Sequence, residues 1–228
     1  MTTENYQPLM GVVTPLKGIK KVAARRMVEA WQAPAFHLSV DVEMQNAILR
    51  GKQGPGTTVT DVILLATKEA LLAVPQMNSH YKDEAITTFE AINIGLAVAT
   101  EAGLMVPVVH NVHQKNLAEI AESRKRIVEK ARGGSLAMAD IDGATFTISN
   151  LGMLGIDRFD AIINPPQIGI LAIGSTKQVP VVKDKGFAIA FQATFTLTCD
   201  HRAVDGATGA KFLVAVKEMM ENASGIVQ

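Results

Sequence analysis

The segment TCDHRAVDGA (198–207) places His201, Asp205 and Gly206 directly after the alternating stretch FQATFTLT. An imidazole, ordinary pKa about 6.5, is the side chain best suited to move a proton near neutral pH. Phe191, Ala193, Phe195, Leu197, Cys199 and His201 share one parity, and Gln192, Thr194, Thr196 and Thr198 the other. If the strand persists, His201 points to the apolar side. Burial there would favour the neutral ring, the form that acts as a general base. Asp205 can fix the turn or pair with a basic residue, and Gly206 lets the backbone approach closely where a helix starts. A core histidine beside a helix-capping aspartate is the competing reading of the same spacing. Cys199, two residues before His201 on the same face, could form a Cys-His pair for covalent transfer. Its plainer reading is a small buried hydrophobe.

These residues need a scaffold, and the bulk composition offers one. The 228 residues are 48% hydrophobic and 19% charged, a globular balance long enough for a sizeable core. Lys+Arg and Asp+Glu are both 22, so no net charge attracts nucleic acid or an anionic membrane. A neutral, apolar-rich chain of this kind is expected to associate. One cysteine excludes an internal disulfide and fits a reducing compartment. The histidines are scattered, apart from HNVH (110–113), so no metal site is expected. No apolar run is long enough to span a bilayer, and no signal-peptide pattern opens the chain. The expected location is the cytoplasm, or an organelle matrix if a transit peptide has been removed.

Residues 1–15 read as a linker or arm, and 16–228 as one domain. A helix over LKGIKKVAARRMVEAWQ carries Ile19, Val22, Met27 and Trp31 at helical spacing, and Pro34 follows it. FHLSVDVEM alternates as a strand. Thr60 can cap the apolar helix DVILLATKEALLAV, which Pro75 ends. INIGLAVAT and GLMVPVV read as buried strands around a turn at Glu101-Ala102-Gly103. NLAEIAESRKRIVEKAR is an amphipathic helix stopped by Gly133-Gly134. ATFTISNLG and QIGILAIGS are strands, and a hairpin around Lys185-Gly186 leads into the long strand before His201. The final helix buries Phe212, Leu213, Val216 and Met220. The interleaving predicts an α/β fold of two-layer α+β type, with a mixed β-sheet flanked by helices.

DHRAVDG is similar to the His-x-x-x-Asp-Gly motif of dihydrolipoamide acyltransferases, the core components of 2-oxoacid dehydrogenase complexes. Chloramphenicol acetyltransferases share that motif and fold. TFTISNLGMLGIDRFDAIINPPQIGILAIG (145–174), INIGLAVATEAGLMVPVV (92–109) and RRMVEAWQAPAFHLSVDV also resemble family segments, in the family's order, so the likeness covers roughly residues 16–222.

The resemblance implies acetyl transfer between dihydrolipoamide and coenzyme A. His201 would be the base and Ser149, in TISN, the oxyanion donor, with Asn150 the alternative donor. Asp205 would hold the loop, paired with Arg25 or Arg26. The resemblance further implies homotrimers that build a larger core, with a site between subunits and Asn164-Pro165-Pro166 shaping a contact. No segment resembles the family's lipoyl domain or its peripheral-enzyme-binding domain. The lipoyl group is therefore expected from a lipoyl domain outside this chain, and the decarboxylase and dihydrolipoamide dehydrogenase components through domains absent from it. Ala203 and Ala207 look like the acetyl-type members, with branched-chain acyl groups the next choice. Lys177, Lys183 and Lys211 are candidates for the coenzyme A phosphates by charge alone. A scaffold-only core subunit, and an acetyltransferase for a small hydroxylated molecule, are the competing functions.

Overall fold

The computed structural model describes residues 10–183 and 186–222, and the backbone alone of Ile19. The first nine residues of the arm, the Ile19 side chain and the Lys185 end of the hairpin turn lie outside them. The helices are α1 (Gly18–Ala30), α2 (Gln45–Arg50), α3 (Val59–Ala73), α4 (Leu117–Arg132) and α5 (Gly206–Glu221). The strands are β1 (Ala35–Glu43), β2 (Ser79–Lys82), β3 (Ala85–Thr88), β4 (Ile94–Leu96), β5 (Val98–Thr100), β6 (Gly103–Met105), β7 (Val108–Val109), β8 (Phe146–Asn150), β9 (Gly169–Ile173), β10 (Lys177–Lys183) and β11 (Gly186–Asp200).

The main sheet runs β1-β11-β9-β8-β4-β7, with β10 paired to the first half of β11. It is mixed, as the sequence predicts: β8 lies parallel to both β9 and β4, and the other pairings are antiparallel. Alternation assigns the faces. Leu38, Leu197, Leu171 and Ile148 form one cross-strand row, which joins Phe195, Phe212, Val216 and the α3 residues Ile63 and Leu64 in a continuous core. All four apolar residues expected on α5 are buried. Gly209 lets α5 close on the sheet: a Cβ there would sit 3.1 Å from the Leu38 side chain and 3.4 Å from the Cys199 sulfur.

The opposite face carries Ser39, Thr196, Ala172 and Ser149 in one row. Polar residues directly across from one another on β1 and β11 are hydrogen bonded: His37 with Thr198 at 2.9 Å, Ser39 with Thr196 at 3.0 Å, and the Thr194 hydroxyl donating to Asp41 at 2.7 Å. Ala161 and Ile163, with Phe159, form a small second cluster over Ile170 and Ala172.

Local expectations are corrected in three places. α3 begins at Val59 with Thr58, not Thr60, as its N-cap. Asp61, at the third helical position, accepts from the Thr58 N–H and hydroxyl and from the Arg124 guanidinium of α4, so the acidic partner fixes the start. β5 and β6 are not buried strands of the main sheet: they form a separate, partly exposed hairpin. β2 and β3, absent from the sequence reading, pair through a two-residue turn in which Asp83 and Glu84 take left-handed φ of 51° and 59°. On α1 itself, Val22, Met27 and Val28 are exposed and the adjoining Trp31 is 81% exposed, while Ala30 is buried.

Candidate active site

β11 ends at Asp200, so the parity that would carry His201 onto the apolar side stops one residue short. His201 lies in the following turn and is exposed, a correction to its expected burial. Its position is nonetheless defined. The His201 N–H donates to the Pro34 carbonyl at 3.0 Å, and its ring sits against Phe36 with centroids 4.7 Å apart. Pro34 ends the connection from α1 to β1, which explains how the first helix and strand reach the histidine.

Asp205 is the N-cap of α5, accepting from the Thr208 N–H at 2.7 Å. That backbone donor, then the Thr208 hydroxyl, hold the Asp205 carboxyl below the ordinary aspartate range, with His201 and Lys211 adding. The expected pairing with Arg25 or Arg26 is not formed: both are exposed on α1, and among the described residues neither makes an ion pair with Asp205. The arginine partner in this loop belongs to a different acid. Asp200, 3% exposed, accepts from the Arg202 N–H at 3.0 Å, from Nε at 3.0 and 3.2 Å and from Nη2 at 2.7 Å. The Arg202 guanidinium lies 4.3 Å over the Tyr81 ring. The sequence reading missed this pair, although an acid and an arginine flanking a histidine was the signal.

Beside the loop is a cavity of about 420 Å³, lined among others by Arg202, Asp200, Tyr81, Arg26, Pro165 and Pro166. The Pro166 carbonyl accepts the Tyr81 N–H at 2.8 Å, so the Asn-Pro-Pro segment builds a wall of this cavity. Cys199 is fully buried, and burial, with the Asp200 charge second, pushes its thiol up to about 12. Almost no thiolate exists there near neutrality, and the small-hydrophobe reading stands.

Ser149 is not near His201 within one chain. Ser149 pairs with Ala172, and Ala172 with Thr196. His201 lies five positions beyond Thr196, roughly 15 Å along the strand and roughly 10 Å across two strand spacings. Ser149 also shares the Thr196 face, whereas His201 packs on Phe36 of the other. Asn150 turns away from the Ser149 face: its side-chain oxygen accepts the Gly152 N–H at 2.9 Å. Lys177 and Lys183 are engaged by Asp157 at 2.9 Å and Glu43 at 3.2 Å, while Lys211 is exposed on α5 beyond the Asp205 cap. In HNVH, the His110 ring bonds the Ala139 carbonyl and the His113 ring accepts the Ile92 N–H. Among the described residues no group of three or more His, Cys, Asp or Glu could hold a metal ion, and no helix is long and apolar enough to cross a membrane.

A mixed sheet with helices on one face and a histidine at the end of its longest strand defines the chloramphenicol-acetyltransferase-like fold. Chloramphenicol acetyltransferase itself superposes with a TM-score of 0.57 at 13% identity, over 86% of this chain and 94% of that one, a likeness of fold alone. The chain belongs to the family of 2-oxoacid dehydrogenases acyltransferase catalytic domains, whose model matches residues 11–227. It is 38% identical over 220 residues to the dihydrolipoyllysine-residue acetyltransferase component of the pyruvate dehydrogenase complex of Rickettsia conorii, covering 92% of this chain and 53% of that protein. The chain thus spans about half the length of such relatives.

Among solved structures, a probable dihydrolipoamide acetyltransferase from Listeria monocytogenes matches with a TM-score of 0.90 at 31% identity, over 96% of this chain and 97% of that one. The Azotobacter vinelandii dihydrolipoamide acetyltransferase, in a study of a serine, a histidine and an asparagine in its catalytic mechanism, matches with a TM-score of 0.87 at 27% identity, over 98% and 100%. A structure of the cubic core of the pyruvate dehydrogenase multienzyme complex gives the same values.

Proposed function

We propose that the protein transfers an acetyl group between coenzyme A and a dihydrolipoyl group, as the core of a pyruvate dehydrogenase complex. Residue intervals carry this reading. In the Azotobacter enzyme the serine precedes the histidine by 52 positions and the asparagine follows it by four. Ser149, His201 and Asp205 stand at the same intervals, with an aspartate in the third place. The relatives named as acetyltransferases support acetyl as the group moved.

The separation of Ser149 from His201 within one chain supports a site built from two copies. His201 of one subunit faces the Ser149 face of its neighbour, in a trimer that builds a larger core of the kind solved for the cubic complex. His201 removes the proton from the coenzyme A thiol, and the thiolate attacks the carbonyl carbon of the acetyl-dihydrolipoyl thioester. The carbonyl oxygen becomes negative and accepts a hydrogen bond from the partner's Ser149. As the intermediate collapses, the C–S bond to the dihydrolipoyl sulfur breaks. The departing sulfur takes the proton from His201, regenerating the base. The lipoyl group is a substrate carried by a lipoyl domain outside the described chain. Decarboxylase and dihydrolipoamide dehydrogenase partners follow from the same reading. The compartment is the bacterial cytoplasm or the mitochondrial matrix, in keeping with bacterial and mitochondrial relatives.

The test is acetyl transfer from acetyl-CoA to free dihydrolipoamide, wild type beside His201→Ala. Turnover that collapses in the variant while light scattering reports the same assembly is the expected result. An assembled wild type that is inactive with acetyl-CoA but active with branched-chain acyl-CoA would overturn acetyl specificity. Inactivity with every acyl-CoA would leave a scaffold.

A further inference from the structure

Resting on the acyl-transfer reading, we propose that Arg202 is a positioning residue for His201, clamping the turn that carries the imidazole between Asp200 and Tyr81. His201 is the middle residue of Asp200-His201-Arg202, and its neighbours are tied directly to each other. The Asp200 carboxylate takes the Arg202 backbone N–H together with Nε and Nη2 of the guanidinium. The Asp200 carbonyl accepts the N–H groups of Ala203 and Val204 at 3.0 and 3.1 Å, closing the turn from the other side. The outer face of the guanidinium rests on Tyr81, whose own N–H is held by Pro166. The clamp therefore joins the histidine turn to the β2–β3 hairpin and to the Asn-Pro-Pro wall.

Arg202 lines the cavity, and an arginine there could instead bind a substrate anion. The geometry points away from that. Nε and Nη2 are already spent on a buried carboxylate that neutralises the charge, and one ring-like face is covered by Tyr81. What remains is orientation. The imidazole is exposed, and the contacts that fix its place are the Pro34 bond to its backbone and the Phe36 ring. A turn free to twist about Asp200 would carry the ring off Phe36.

The experiment uses the assembled protein, with Arg202→Lys as the main variant because it keeps the charge beside Asp200 but loses the planar fork. The expected result is a kcat lower by about tenfold, toward the 10²-fold loss of an ångström-scale misplacement, with both KM values nearly unchanged. Tyr81→Leu should move kcat the same way by less. A raised KM for either substrate at unchanged kcat would make Arg202 a binding residue and overturn the proposal, as would unchanged values of both. Carbethoxylation of His201 by diethyl pyrocarbonate, followed by peptide mass spectrometry, reads the same clamp without turnover. The rate should rise severalfold in both variants, and an unchanged rate overturns positioning even if the wild type proves inactive with every acyl-CoA.

Discussion

The two faces of the main sheet are built on opposite terms. The helix-side face is finished within one chain: Phe146, Phe195 and Leu197 are fully buried under α3 and α5, together with Phe212 of α5. The other face has a four-residue apolar cluster, a row of hydroxyls, and an open region over β1 where a cavity of about 400 Å³ is lined by Trp31, His37, Ile162 and Thr198. Trp31 and Ile162 remain exposed in its lining. Ser149 belongs to this second face and His201 to the margin of the first. Stability is therefore concentrated on one side, and on the proposed two-copy site the other side is the one a second copy completes. Mutations should divide accordingly.

The largest effect is expected at the margin of the finished face. His201→Ala should lower kcat by about 10²–10⁴-fold, the usual contribution of a general base, with no change in thermal melting. Phe212→Ala should do the reverse. Its ring packs 5.2 Å from Phe146 in the core, and its loss should cost about 3–5 kcal/mol in denaturant unfolding. Ser39→Ala, on the open face, removes one exposed partner of Thr196 and should cost no more than about 1 kcal/mol. Similar losses at Phe212 and Ser39 would break the division between faces.

Ser149→Ala should lower kcat by about 10²–10³-fold, as loss of one oxyanion donor does. Its sharper use is in combination. A chain with Ser149→Ala retains its histidine, and a chain with His201→Ala retains its serine. Co-expressed in equal amounts, they should recover about a quarter of wild-type activity, because one interface in four then joins an intact His201 to an intact Ser149 in a ring with a single interface type. A site formed within one chain would recover none. Measuring specific activity of the purified mixture decides between them.

The fold was largely legible because its strong signals are local. Period-two alternation located β1 and β11, an apolar run located β9, the strand read in ATFTISNLG became β8, and the α5 face followed from Phe212, Leu213, Val216 and Met220. The sequence pattern failed where tertiary context decides. β2 and β3 are short and polar, and nothing in SHYKDEAITT announces Asp83 and Glu84 at positive φ without a glycine. α1 has helical spacing, but spacing does not say whether its apolar residues meet this chain or another. At the site, parity correctly traced β11 and then went one residue too far, because Asp200 ends the strand by bonding to Arg202. The Asp200–Arg202 clamp and the distance from Ser149 to His201 depend on register and turn geometry, which residue types alone do not encode.

The smallest expected effect separates the two things Asp205 does. Asparagine caps a helix about as well as aspartate, so Asp205→Asn should keep α5 while removing a charge. The Asp205 carboxyl is held below its unfolded value of about 3.9, first by the Thr208 N–H. A carboxyl lowered on folding stabilises the protein above its unfolded value, and that contribution disappears as pH falls through the folded value. Wild type should therefore melt slightly above Asp205→Asn at pH 6–7, and the difference should shrink below about pH 4 and vanish once pH falls below the folded value. A gap that persists in acid would mean that the aspartate acts by shape alone. The kcat/KM plateau at neutral pH should be little changed in Asp205→Asn, because asparagine keeps the helix cap. A fallen plateau would place Asp205 in holding the turn that carries His201, alongside Arg202.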